Sequence, residues 1–167
     1  RFASRIIHAV RKAVGSRFPI IFRFSQWKTG HYDAKLAYTP EELEAFLAPL
    51  TDVGVDIFDC STRRFWEPEF EGSRLNLAGW TRKLTGKPTI SVGSVGLKGD
   101  FTNAFDGGPE AEAASVEPLV ERLKAGEFDL IAVGRALLAD AEWAEKIRHA
   151  REKEIHLFTK EDLKTLK

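Results

Sequence analysis

Residues 128–140 read "FDLIAVGRALLAD", and this stretch carries most of the information about the fold. It begins as a short apolar run typical of a strand buried on both faces, passes through Gly134 and Arg135, and continues in strong helix formers. A strand that leads directly into a helix is part of a βαβ unit. The Gly-Arg pair is either a plain strand-to-helix turn or the seat of a phosphate group.

Three earlier runs repeat the strand pattern. They read "FPIIFRFS" (residues 18–25), "VDIFDCS" (residues 55–61) and "KPTISVGS" (residues 87–94). Each is short, apolar and rich in β-branched or aromatic residues, so each predicts a strand buried on both faces.

Helical patterns alternate with these strands. Thr39 as N-cap, Pro40 at the first helical position and Gly54 as C-cap bound one helix, and Gly126 ends another that starts near residue 109. The chain opens inside an amphipathic helix over residues 1–15, in which Ile6, Ile7, Val10 and Val14 share a face, and residues 135–153 form the last helical run. The order αβαβαβαβα predicts a parallel sheet in an α/β fold.

Two architectures fit this alternation within a single domain over residues 1–167. An open, doubly wound sheet can be complete with about this many strands, whereas a (βα)8 barrel usually takes about 250 residues and would be half present. Periodicity does not separate them. Because the chain starts inside a helix and contains no methionine, we expect residues upstream of Arg1.

Composition excludes several classes of protein. With 43% hydrophobic and 30% charged residues, and 25 basic side chains against 25 acidic ones, the chain has no global field that would attract nucleic acid or an anionic membrane. It contains no apolar run long enough to span a bilayer. Its one cysteine, Cys60, cannot form an intrachain disulfide, which fits a reducing compartment, so we expect a cytoplasmic location.

Ligand-binding groups should collect at the carboxyl ends of the strands in either architecture. The segments that follow the four strands are Arg23 to Trp27, Ser61 to Trp66, Gly93 to Gly96, and Gly134 with Arg135. In "SVGSVG", Gly93 and Gly96 flank Ser94 and allow backbone NH groups to approach an anion, although glycines also simply permit a turn. Adjacent parallel strands ending in a glycine turn and a Gly-Arg turn favour one shared phosphate site.

Arg23 interrupts an otherwise apolar strand and needs an acceptor. One interpretation is an ion pair with Asp56 or Asp59; the other is that Arg23 stabilises an electron-rich part of a ligand.

The remaining candidate residues lie in one long loop and at isolated positions. The loop over residues 61–80 is long and rich in aromatic residues and arginine, so Arg63, Arg64, Phe65, Trp66 and Trp80 could line a substrate entrance, or cover the barrel top or an oligomer contact. Cys60 is expected to be a core residue rather than a nucleophile. The spacing of His8, His31 and His149 does not match that of zinc ligands, so no metal is expected.

Taken together, these residues resemble the carboxyl-terminal half of the Old Yellow Enzyme family of FMN-dependent NAD(P)H:flavin oxidoreductases, the ene-reductases. The resemblance runs nearly end to end through "RFASRIIHAVRKAVG", "FPIIFRFS", "VGVDIFDCS" and "KPTISVGSVG", and is most specific in "FDLIAVGRALLADAEW". The loop "CSTRRFWEPEFEGS" looks like one bacterial subgroup.

The resemblance implies a TIM (βα)8 barrel of which this chain supplies the second half, strands five to eight, with FMN as cofactor and NAD(P)H as reductant. Arg23 would bind the pyrimidine side of the flavin ring, and the phosphate would be held by Gly93, Ser94, Gly96, Gly134 and Arg135. Hydride would pass from NAD(P)H through FMN to an activated alkene such as an enone.

The resemblance also implies what this chain lacks. The family's catalytic residues belong to the amino-terminal half, and neither Tyr32 nor Tyr38 matches the position of the family's tyrosine proton donor. The expected partners are therefore an amino-terminal half-barrel or a second copy of the chain, and a small activated alkene. A noncatalytic phosphate-binding or self-associating half-barrel remains the alternative.

Overall fold

The structure, a computed structural model, describes residues 1–28, 30–31, 33–98 and 112–164. Helices and strands alternate along the chain, followed by two 3-10 turns at Glu152–Glu154 and Lys160–Leu163. The strands are β1 (Ile21–Ser25), β2 (Ile57–Ser61), β3 (Thr89–Val92) and β4 (Leu130–Ala132). The helices are α1 (Phe2–Val14), α2 (Pro40–Asp52), α3 (Leu77–Thr85), α4 (Glu117–Lys124), α5 (Arg135–Ala139) and α6 (Trp143–Arg148).

The four strands form one parallel sheet in the order β1-β2-β3-β4. A doubly wound sheet reverses its strand order at a switch point, whereas a barrel adds each new strand beside the last. The sequential order therefore selects the barrel arrangement over the open-sheet alternative.

The sheet has one covered and one open face. Phe24, Phe58 and Cys60 point into the core between the sheet and the helices and are at most 8% exposed. The alternate residues lie on the other face, where Ile21 is 53% exposed and Leu130 is 50% exposed. The prediction of strands buried on both faces is therefore wrong for this chain, because the described residues place helices over one face alone.

Helix α2 begins as predicted. The side chain of Thr39 accepts a hydrogen bond from the backbone NH of Glu42 at 3.3 Å, and Pro40 is the first helical residue. The helix ends at Asp52, with Val53 as C-cap, so the predicted cap at Gly54 is one residue late.

The starts of two other helices differ from the sequence prediction. Helix α3 starts at Leu77, inside the predicted 61–80 loop, because the Asn76 side chain caps the backbone NH of Gly79 at 2.9 Å. Helix α4 starts only at Glu117, since the backbone of residues 112–114 pairs with that of residues 96–98. Of the predicted helical residues before it, 109–111 lie outside the described part of the chain.

The predicted helix over residues 135–153 is two short helices separated at Asp140. The backbone of Asp140 is extended, and its carboxylate accepts a hydrogen bond from the backbone NH of Glu142 at 3.0 Å. This side-chain contact replaces a helical one and ends α5 after five residues.

Helix α1 turns only part of its apolar surface inward. Ile7 is 5% exposed, whereas Ile6, Val10 and Val14 form an outward stripe together with Phe2. Within the described residues, no helix is both long and apolar enough to cross a membrane.

Candidate functional site

A cavity of about 350 Å³ opens at the carboxyl ends of the strands. It brings together five of the six predicted site residues: Arg23, Gly93, Ser94, Gly134 and Arg135. The remaining lining residues are Trp27, Ser61, Thr62, Arg63, Val92, Val95, Leu97 and Ala132.

Three arginines line this cavity and come from three parts of the sheet. Arg23 lies in β1, Arg63 follows β2, and Arg135 begins the helix after β4. Among the described residues, no carboxylate lines the cavity. Three guanidinium groups therefore line this cavity although the chain as a whole is neutral, and guanidinium groups suit an anionic ligand.

The turn after β3 packs tightly against the loop after β2. Gly93 has φ +139°, and a Cβ atom there would lie 2.7 Å from both the carbonyl oxygen and the Oγ1 of Thr62. Ser94 also has a positive φ, 51°, and its hydroxyl donates to the Arg63 carbonyl at 2.8 Å. The backbone of Phe65 donates to the Gly93 carbonyl at 3.2 Å, so the two loops form one wall.

The second turn, after β4, is more open. Apart from its two neighbours in the chain, no described residue places an atom within 4 Å of the position that a Cβ atom would occupy on Gly134. The next residue, Arg135, is half-buried, and its guanidinium carbon lies 5.9 Å from the centroid of the Phe158 ring. Gly134 therefore leaves room beside a guanidinium that is packed on an aromatic ring.

Arg23 pairs across the sheet, and the pairing partner is Asp59, one of the two predicted candidates. Arg23 Nε lies 3.8 Å from Asp59 Oδ2, and Arg23 Nη2 donates to Ser61 Oγ at 3.1 Å. Burial raises the pKa of Asp59, and the charge of Arg23 opposes that rise. The Arg23 side chain nevertheless stays 62% exposed, which leaves it accessible to a ligand.

The other candidate, Asp56, has a different partner. Its carboxylate pairs with Arg11 and accepts the backbone NH of Ile20 at 2.8 Å. The Ile20 hydrogen bond is the main cause that lowers the pKa of Asp56. Asp56 therefore joins α1 to the start of the sheet and is remote from the cavity.

The loop after β2 is braced from behind. The carbonyl of Phe65 accepts hydrogen bonds from Asn76 Nδ2 at 2.9 Å and from Arg122 Nη1 at 2.6 Å. Arg122 in turn pairs with Glu127 at 2.7 Å, and both side chains are largely buried. This buried ion pair fixes the loop that carries Arg63.

Of the five residues suggested for a substrate entrance, Arg63 alone lines the cavity. Phe65 is 4% exposed and belongs to the core, and Trp80 lies in α3 with its ring 5.4 Å from that of Phe70. Arg64 pairs with Glu67, and Trp66 borders a surface groove on the helix side. The aromatic residues of this loop thus serve packing rather than the cavity.

Gly96 is the predicted site residue that does not line the cavity. It borders a neighbouring cavity of about 360 Å³, and a Cβ atom there would lie 3.0 Å from the Trp143 ring. Its φ of +71° and this close ring contact explain the glycine through packing.

The remaining predicted groups lie elsewhere. Cys60 is fully buried, and burial raises the pKa of its thiol to about 12, which confirms it as a core residue. His8 lies in α1, His31 in the loop after β1, and His149 at the end of α6. No three His, Cys, Asp or Glu side chains in the described part of the chain are grouped as metal ligands.

Sequence reasoning missed a few lining residues. Val92 and Ala132 come from inside the strands, and Leu97 lies just beyond the predicted Gly93–Gly96 turn. Strand alternation could have found the first two, because both occupy the same open-face row as Ser61.

Comparison with known proteins identifies the family of the chain. The profile of the NADH:flavin oxidoreductase / NADH oxidase family matches residues 1–154, so the chain belongs to this family of flavin-dependent oxidoreductases. An NADH oxidase of Thermoanaerobacter brockii is 31% identical over 165 residues, which is 93% of this chain and 22% of that protein.

The fold has a solved counterpart in the old yellow enzyme of Trypanosoma cruzi. The TM-score is 0.54 at 16% identity, over 87% of this chain and 32% of that one. This chain thus spans about a third of the solved structure and about a fifth of the curated relative. It is a partial TIM barrel, as predicted.

Proposed function

We propose that residues 1–167 form one partial-barrel domain that supplies the FMN-phosphate-binding half of an ene-reductase. When bound, FMN would accept hydride from NAD(P)H and pass it to the C=C bond of an α,β-unsaturated carbonyl compound. The observation that carries the proposal is the cavity at the strand ends, lined by three arginines and, among the described residues, by no carboxylate. Its volume of about 350 Å³ lies within the range of cofactor pockets.

The phosphate would be held by the two turns at the ends of β3 and β4. Gly93 and Ser94 line the cavity and offer backbone NH groups on one side, while Gly134 lies beside Arg135 on the other; Gly96, at the far end of the same turn, borders the neighbouring cavity. Helix α5 has five residues and is too short to contribute much dipole charge. The positive charge at this end of the cavity therefore comes from the planar guanidinium of Arg135, which can donate two hydrogen bonds to one phosphate.

Arg23 would bind the pyrimidine side of the flavin ring. Its contact with Ser61 and its pairing with Asp59 orient the guanidinium, while 62% exposure leaves donors for a ligand. A fixed positive charge at that place stabilises negative charge on an adjacent ring, and it does so without moving a proton.

The substrate-activating residues would come from outside this chain. Tyr38 is 68% exposed, and it does not line the cavity; Tyr32 lies outside the described residues. We therefore assign no catalytic residue here, and we expect the alkene, and either NADH or NADPH, to bind where an amino-terminal half meets the cavity. The buried, unbridged Cys60 fits a cytoplasmic protein.

The open face of the sheet supports an amino-terminal half-barrel as the partner. Ile21 and Leu130 are at least half exposed on this face, and β1 and β4 are the two edges of the sheet. Exposed edges and apolar faces of this kind are usually covered in stable proteins. A complete barrel would pair both edges and bury both residues.

Self-association is the alternative that the same surface favours. Sedimentation analysis of the chain alone distinguishes the two: a monomer that becomes a one-to-one complex with a co-expressed amino-terminal half supports our proposal. A stable homodimer that Leu130→Glu converts to monomers, and that ignores the amino-terminal half, would contradict it.

The flavin assignment is tested by replacing Arg135. We expect Arg135→Ala to weaken FMN binding about tenfold or more, since a charge-assisted hydrogen bond contributes about 1.5–3 kcal/mol. Arg148→Ala is the matched control, because Arg148 is 74% exposed and pairs with Glu145 on α6. Flavin fluorescence titration measures both; equal FMN affinity in the two variants would refute the phosphate site.

A further inference from the structure

The segment of residues 155–164 packs an aromatic ring against the proposed phosphate-binding arginine. Phe158 is 2% exposed, and its ring centroid lies 5.9 Å from the guanidinium carbon of Arg135. A cation over an aromatic face at this distance is attracted to the ring. Phe158 thus contacts the arginine on the side of the neighbouring cavity, which both Phe158 and Gly96 line.

Two buried carboxylates hold this segment in place, and the first is Asp140. It is 6% exposed and accepts hydrogen bonds from Lys146 Nζ at 2.7 Å and from the backbone NH of His156 at 3.0 Å. Together with its bond to Glu142, these contacts join the end of α5, the start of α6 and the residues just before Phe158. The helix that begins with Arg135 is therefore tied to the segment that carries Phe158.

The second carboxylate is Asp162, which fixes the turn that follows Phe158. It accepts hydrogen bonds from the backbone NH and the hydroxyl of Thr159 at 2.8 and 3.0 Å, and it is 3% exposed. The His156 ring lies 3.3 Å from its other oxygen. Hydrogen bonds thus anchor the chain on both sides of Phe158, and the Phe158 side chain itself is buried.

We propose that Phe158 is a positioning residue that restricts the Arg135 side chain to the orientation in which it binds the cofactor phosphate. This inference rests on the proposed function. A free arginine loses much rotamer freedom when it binds an anion, and a ring that already restricts it lowers that loss. An aromatic ring attracts the face of a guanidinium, whereas a phosphate is bound by the NH groups along its edge, so the two kinds of contact do not compete.

The role requires the aromatic face and not only the volume of Phe158. Phe158→Tyr keeps the ring, whereas Phe158→Leu and Phe158→Met keep an apolar side chain of similar size without one. FMN and riboflavin differ only in the phosphate, so comparing the two ligands separates an effect on Arg135 from a general effect on the cavity. Urea unfolding of each variant checks that it is folded.

Fluorescence titration of the 167-residue chain gives the result. We expect Phe158→Leu to weaken FMN binding by about two- to thirtyfold, the range of a cation–π contact, with riboflavin binding unchanged and Phe158→Tyr close to wild type. In Arg135→Ala, adding Phe158→Leu should cause no further loss, because the ring acts through the arginine.

Several outcomes would overturn the inference. These are unchanged FMN affinity in Phe158→Leu, equal weakening of FMN and riboflavin, or additive losses in the double variant. Failure of both aliphatic variants to fold would identify Phe158 as a core residue alone. If the wild type shows no preference for FMN over riboflavin, or if Arg135→Ala does not weaken FMN binding, the proposed function itself fails. If Arg135→Ala weakens FMN binding but Phe158→Leu does not, only this inference fails.

Discussion

The two glycines at the ends of β3 and β4 should respond in opposite ways to the same substitution. At Gly93, alanine would have to adopt φ +139° and place its methyl group 2.7 Å from the Thr62 carbonyl oxygen and from the Thr62 hydroxyl. At Gly134, φ is −98°, and among the described residues only its chain neighbours place atoms within 4 Å of the added carbon. The first change is strained and crowded, whereas the second places its methyl group in an uncrowded position.

The magnitudes follow from these two environments. A residue held in a sparsely populated backbone region costs about 1–3 kcal/mol, and overpacking costs a further 1–3 kcal/mol or so. We therefore expect Gly93→Ala to lower the free energy of unfolding by about 2–6 kcal/mol. Gly134→Ala should change it by less than about 1 kcal/mol, as for an open surface position.

Urea denaturation followed by tryptophan fluorescence measures both values, and FMN titration adds a second contrast. Gly134→Ala should weaken FMN binding in a chain of normal stability, because its methyl group takes up space next to Arg135 in the cavity. If Gly93→Ala is as stable as Gly134→Ala, the close packing of the two loops that form the cavity wall is wrong.

Three further predictions concern groups outside the cavity. The Cys60 thiol, whose pKa is raised to about 12 by burial, should resist alkylation at neutral pH in the folded chain and react fully in urea; rapid reaction of the native protein would contradict its burial. Glu127→Ala removes the partner of the largely buried Arg122 and should lower the free energy of unfolding by about 3–5 kcal/mol. The control Glu112→Ala removes one partner of an exposed ion pair and should leave the urea midpoint unchanged. Similar midpoints for the two variants would contradict the role of the Arg122–Glu127 pair in holding the loop after β2. The hydrogen bond from the Thr159 backbone NH is the main cause that lowers the pKa of Asp162 to about 2. The contribution of the Asp162 carboxylate to stability is therefore complete above its unfolded pKa of about 3.9 and is lost as pH falls toward 2. Asp162→Asn should flatten that part of the curve of stability against pH, and an unaltered curve would refute the contact.

Much of the cavity could be predicted because parallel strands bring their carboxyl ends to one edge. That rule alone placed Arg23, Gly93 and Arg135 together, although they are far apart in the sequence. The sequence predicts an ion pair of Arg23 with Asp56 or Asp59 as charges of a neighbouring strand, and the register of β1 and β2 places Asp59 directly across from Arg23.

Other features depended on contacts that periodicity does not report. The run after Arg135 consists of good helix formers, yet the carboxylate of Asp140 bonds to the backbone of Glu142 and to His156 and interrupts the helix. Propensity describes local preference, and here a contact with a distant segment overrides it.

The open face of the sheet shows a second limit. An apolar run indicates that a surface is suited to burial, but not which part of a protein covers it. Ile21 and Leu130 were predicted to be buried and are about half exposed in this chain. The same limit applied to the choice between barrel and open sheet, which needed the order of the strands.

We propose that the turns after β3 and β4 bind the phosphate of FMN, and a crystal structure of the chain with bound FMN tests whether they do. We predict that the phosphate lies between the Gly93–Gly96 turn and the Arg135 guanidinium, with the flavin ring extending toward Arg23. A phosphate bound elsewhere, such as in the neighbouring cavity beside Trp143, or no flavin density at saturating FMN, would contradict the account.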